Sequence, residues 1–77
     1  MRGNELKAER VRQNKSATYM GKLIGKSADA YRRQERGAGK FSGTEIGIIG
    51  RDLKLDPEKL AFIFCDYDLL NGKKTAL

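Results

Sequence analysis

Residues 16–37 read SATYMGKLIGKSADAYRRQERG, and this stretch decides the fold. Ser16 carries a side-chain oxygen suited to capping a helix start, and Met20, Leu23 and Ile24 follow at i, i+3, i+4 spacing. Gly25 stops that helix as a C-terminal glycine does, and Ser27 caps another almost at once. The result is a pair of short helices joined by a tight turn. The second helix of the pair runs from about Ala28 to Arg36 and ends at Gly37-Ala38-Gly39. Ala30, Tyr31 and Gln34 lie on one side of it, and Ala28, Asp29, Arg32, Arg33 and Arg36 on the other.

Working outward, a helix over about residues 4–13 places Leu6 and Val11 on one side, and Asn14-Lys15 interrupts it. Downstream, Ser42-Gly-Thr-Glu45 reads as a capping box opening a fourth helix, with Ile46, Ile49 and Leu53 as its apolar stripe. Asp56-Pro57 supplies a cap and a first-turn proline for a fifth, from which Leu60, Ile63 and Phe64 face inward. Residues 62–70 fit either a period-two strand or a helix continuing to Asn71-Gly72. Gly47 and Gly50 weaken the fourth helix by roughly 1 kcal/mol each against Ala, and either permit close helix approach or mark a loosely stable protein. Cys65 sits in an apolar run and reads as a buried structural residue.

Seventy-seven residues make room for one domain, with a core over about 4–64 and a tail over 65–77. A domain of this size buries only about 60% of its unfolded surface. One cysteine and no histidine exclude an intrachain disulfide, most zinc sites and histidine-dependent catalysis. No nucleophile–base pair is visible, so no enzyme, metal or cofactor is expected. Gly37-Ala-Gly-Lys40 lacks the spacing and the following Ser/Thr of a phosphate loop. No apolar run approaches the ~18 residues of a membrane span, and the polar N-terminus argues against a signal peptide; a cytoplasmic location is expected. The net charge is +6, and it is uneven: residues 1–40 carry eleven basic and four acidic side chains (11 − 4 = +7), residues 41–77 five and six (5 − 6 = −1). Confinement of positive charge to one half suggests a polyanion-binding face more than a merely solvated surface.

The segment 16–37 resembles the helix-turn-helix of the Cro/cI-type (XRE-like) regulators of phages and bacteria. Gly21 stands where that family needs a small residue at the helix crossing, Gly25 where it has its turn glycine, and Glu35-Arg36-Gly37 where its motif closes. The resemblance covers about residues 4–64 and implies an all-α, five-helix, lambda-repressor-like domain. It also implies an Arg10–Glu35 ion pair, partly buried and bidentate. The chain departs from the family at Ala17, where a phosphate-clamping glutamine is usual, and at Tyr31 and Gln34, where apolar residues are usual.

The function so implied is sequence-specific binding of double-stranded DNA by a Cro-like repressor acting as a homodimer on a pseudo-palindromic operator. By family position the base readers are Ala28, Asp29, Arg32 and Arg33; an arginine can hold guanine O6 and N7 together. Phosphate contacts are expected from Ser16, Thr18, Lys26, Ser27, Arg36 and Lys40, with a backbone amide standing in at Ala17. Phe62, Phe64, Tyr67, Leu69 and Leu70 exceed what so small a core absorbs and are expected at a dimer surface. The alternative is a protein-interaction module on the same fold, an antirepressor or antitoxin type with a protein partner.

Overall fold

The computed structural model describes residues 1–65, 67–68 and 73–74. Five helices follow one another: α1 (Gly3–Arg12), α2 (Ala17–Leu23), α3 (Ala28–Glu35), α4 (Gly43–Asp52) and α5 (Pro57–Phe64). After them β1 (Tyr67–Asp68) and β2 (Lys73–Lys74) pair antiparallel, Tyr67 opposite Lys74 and Asp68 opposite Lys73. The domain core is all-α. Neither reading of residues 62–70 holds alone, because α5 ends at Phe64 and strand pairing begins at Tyr67.

Local side chains set the helix starts. Ser16 accepts from the Tyr19 amide at 3.0 Å, Ser27 from Ala30 at 3.1 Å, and Asp56 from Lys59 at 2.7 Å. Ser42 accepts from the Glu45 amide at 3.1 Å while the Glu45 carboxylate accepts from the Ser42 amide at 2.9 Å, completing the capping box. Each cap satisfies an amide that has no partner inside its helix.

The helix ends repeat one device. After α2, Gly25 takes φ +72°, its amide donates to Lys22 O at 3.2 Å, and Lys26 N donates to Gly21 O at 2.8 Å. This pair of bonds is a Schellman motif. The same two bonds close α3 at Gly37-Ala38, α1 at Asn14-Lys15 and α4 at Lys54-Leu55. Asn14 (φ 59°) and Lys54 (φ 56°) hold the left-handed position without being glycine, and for a lysine that conformation costs roughly 1–2 kcal/mol.

All five helices feed one core. Leu6, Met20, Tyr31, Ile49, Leu53 and Ile63 are fully buried, and Ala17 nearly so. Leu23, Ile24, Phe41 and Phe64 pack around them. Val11, expected beside Leu6, is instead 53% exposed. At 100° per residue it stands about 140° round the helix from Leu6. Glu9 occupies the covered face instead, reached by Arg12 and by Lys59 Nζ at 3.5 Å. Cys65 is also a correction: it caps the end of α5 and is exposed. Gly50 does serve close approach, since a Cβ there would lie 2.6 Å from Leu60 Cδ1, whereas Gly47 faces open space. Among the described residues no helix is long and apolar enough to cross a membrane.

Where α2 crosses into the turn before α3, a Cβ on Gly21 would lie 2.7 Å from Lys26 O and 2.9 Å from Ser27 O, both backbone atoms. Urea denaturation should therefore show Gly21→Ala destabilised by about 1–3 kcal/mol, through overpacking, against the usual helical gain from Ala. Lys54→Gly should move the other way by about 1 kcal/mol, because it relieves the left-handed lysine.

Candidate nucleic-acid interface

Tyr31, Gln34 and Glu35 form the buried face of α3, and each is anchored differently. Glu35 receives a two-pronged contact from Arg10, Nε to Oε2 at 2.9 Å and Nη2 to Oε1 at 3.1 Å. The remaining fork of Arg10 donates through Nη1 to Lys15 O at 3.0 Å, and the Tyr31 hydroxyl donates to Glu35 Oε2 at 2.8 Å. Burial, and then its bond to Glu35, pushes the Tyr31 phenol well above its ordinary range, so it remains a donor. Side-chain exposures of 11% for Arg10 and 7% for Glu35 make this a desolvated pair with every prong satisfied.

Gln34 organises the other flank. Its Nε2 donates to Lys40 O at 2.9 Å and to Glu45 Oε1 at 3.3 Å, and its Oε1 accepts from Lys26 Nζ at 3.0 Å. Lys26 Nζ also pairs with Glu45 Oε2 at 2.9 Å. The ammonium of Lys26, and then the Ser42 amide, hold the Glu45 carboxyl below its ordinary value. The charge of Lys26, a residue the sequence suggests for phosphate contact, is answered by a carboxylate of α4. The sequence puts Gln34 on the inward side with Tyr31, but it carries no sign that partners from residues 26, 40 and 45 converge there.

A third tie fixes α2 to the end of α4. Tyr19 OH donates to Asp52 Oδ1 and Lys15 Nζ to Asp52 Oδ2, each at 2.7 Å. Burial works to raise the Asp52 pKa, yet the bonds from Lys15 and then Tyr19 bring it below its ordinary value. Neither Tyr19 nor Asp52 stands out in the sequence, because their pairing spans 33 residues.

These ties leave a polar face outward. Asp29, Arg32 and Arg33 on α3 and Arg36 at its C-cap are exposed, while Ala28 is half-buried and packs on the core at the edge of that face. Arg32 Nη1 lies 3.3 Å from Asp29 Oδ1. Arg33, Arg36 and Lys40 make no side-chain hydrogen bond or ion pair among the described residues. Lys26, Ser27, Arg33 and Lys40 line one open cleft beside α3. Ser16 and Thr18 are exposed at the head of α2, but Ala17 is 4% exposed and belongs to the core.

Of the residues expected at a dimer surface, Phe62 and Phe64 have contacts within the chain. The Arg2 guanidinium lies 4.0 Å over the Phe62 ring and donates to Phe62 O. Phe64 stands edge-on to Phe41 at 5.6 Å. Both residues remain partly exposed. Tyr67 is described only through its strand pairing, and Leu69 and Leu70 lie outside the described residues.

Compared with known proteins, the chain matches no family model, no curated protein and no solved structure.

Glu35→Ala should lower stability by about 3–5 kcal/mol, since it strands the Arg10 guanidinium. Tyr31→Phe, which keeps the packing and removes one donor, should cost about 1.5 kcal/mol by the same denaturation assay. Because the folded Glu45 and Asp52 carboxyls are lowered from 4.5 and 3.8, their contribution is full above those values and lost as pH falls through the lowered ones. A pH series of unfolding midpoints should therefore drop on the acid side, and Glu45→Gln should flatten part of that drop.

Proposed function

We propose that this chain is a sequence-specific DNA-binding transcriptional regulator, a Cro/cI-like helix-turn-helix protein of lambda-repressor-like fold that acts as a repressor in the cytoplasm. The observation that carries this reading is the outward face of α3. Four charged side chains, three of them arginines, stand exposed along a helix whose opposite face is locked into the core. A solvated helix face could carry the same residues. What favours DNA is their setting, in the basic half of a chain divided +7 to −1, after a tight turn that presents the head of α3.

The division of roles follows from chemistry. Side chains on α3 suit base edges in a major groove wide enough for a helix. Ser16, Thr18 and the first amides of α2, with Ser27, Arg36 and Lys40 around α3, suit the phosphate backbone on either side. A single module of this size reads one half-site, so the proposed working form is a two-fold pair on a pseudo-palindromic operator, half-sites one helical turn apart.

The test is a fluorescence-anisotropy titration against a random DNA pool and against sequences selected from it, at several salt concentrations. The expected result is a selected site bound at least about 10³-fold more tightly than random sequence, with log affinity falling linearly in log salt. Sedimentation on the selected site should give two chains per duplex. No binding at roughly 50 mM salt, where phosphate contacts are strongest, would remove the DNA reading and leave the protein-interaction module.

A further inference from the structure

The arginines at positions 32 and 33 are neighbours in sequence but not in surroundings. Successive residues on a helix point about 100° apart, so two adjacent side chains do not address the same base edge. Arg32 lies one turn beyond Asp29 and meets its carboxylate at 3.3 Å. Arg33 has no side-chain partner among the described residues, and lines the cleft shared with Ser27, Lys26 and Lys40.

The charge within that cleft can be balanced. Lys26 is answered by Glu45 at 2.9 Å. Arg33 and Lys40 have no such answer among the described residues, so the cleft keeps two uncompensated positive charges. The Ser27 oxygen accepts from the Ala30 amide at 3.1 Å, which leaves its own hydrogen to donate outward. Two cations and a hydroxyl donor, with no free carboxylate among the cleft residues, suit a phosphate group, which an arginine fork can bind through two parallel bonds. The Asp29–Arg32 unit has the opposite character. Its charges cancel, so it makes a poor phosphate clamp, and its carboxylate repels the backbone. It does restrain the guanidinium, so less rotamer freedom is lost when the remaining donors engage a base.

We propose, resting on the DNA-binding reading above, that the two arginines divide the work: Arg33 clamps a backbone phosphate in the cleft with Ser27 and Lys40, while Arg32 reads a guanine with Asp29 as its positioning residue. Asp29 then sets specificity without needing a base contact of its own.

Three variants, Arg33→Ala, Arg32→Ala and Asp29→Asn, distinguish the roles when titrated against the selected duplex, a set of its single-base-pair variants and random DNA over a salt series. All three positions are exposed, and circular dichroism with urea midpoints verifies that each variant is folded. Arg33→Ala should weaken every sequence by a similar factor and reduce the salt slope by about 1, and Arg33→Lys should restore much of the loss. Arg32→Ala should abolish discrimination at one base pair, about 5- to 150-fold. Asp29→Asn should raise affinity for random DNA while reducing discrimination at that same base pair, a pair of effects that a purely structural Asp29 would not produce. Arg33→Ala relaxing a single base position with an unchanged salt slope would overturn the proposal. So would Asp29→Asn leaving base preference intact. Failure of the unaltered chain to bind any duplex removes the underlying DNA reading as well, and is told apart from these outcomes because no variant comparison then exists.

Discussion

The buried carboxylate of Glu35 is the point on which the arrangement of helices turns. A charge so enclosed is tolerated only when it is paired and hydrogen-bonded, and it is met by two donors of Arg10 and the hydroxyl of Tyr31. Arg10 belongs to α1, and its third contact is to the carbonyl of Lys15 in the turn before α2. One ion pair therefore ties the first helix, the first turn and the third helix together. The orientation of α3, and with it the direction in which Asp29 and the arginines face, depends on that geometry being unique.

Most of the helical frame was legible because its signals are local. Ser16, Ser27, Ser42 and Asp56 each act on an amide three residues ahead, and Gly25 and Gly37 on carbonyls three residues back. The apolar stripes at Met20, Ile49, Leu53 and Ile63 follow from helical period alone. Elsewhere longer-range contacts decide. Val11 is exposed because Glu9, held by Lys59 from α5, takes the covered side. Phe62 and Phe64 find partners within the chain that no local signal announces, because Arg2 and Phe41 reach them from distant parts of the sequence. Cys65 is exposed because α5 stops one residue before it.

The candidate site was legible unevenly for the same reason. The outward residues of α3 can be placed by angle, since exposure needs no partner. The inward side can be placed by angle as well, but the partners there cannot, and Tyr31 and Gln34 prove to be polar side chains with polar work. The Tyr31 ring fills the core while its hydroxyl joins the Glu35 contact, and Gln34 bridges the turn, the loop and α4. Among the described residues no buried side-chain nitrogen or oxygen is left without a partner. That closure explains how a core of so few apolar residues carries a tyrosine, a glutamine and a glutamate on one helix.

The repeated helix ending, a left-handed residue followed by one spacer and a capping Ser or Asp, has a kinetic side. Asn14-Lys15-Ser16, Gly25-Lys26-Ser27 and Lys54-Leu55-Asp56 each finish one helix and open the next with bonds that span no more than five residues. Boundaries of this kind form without waiting for distant segments to meet, and loop-closure entropy scarcely delays them. Domains built from such short-range contacts fold in microseconds to milliseconds. At a given stability, fast folding makes excursions from the native state frequent but brief, while their total population is set by the ratio of folding to unfolding rates.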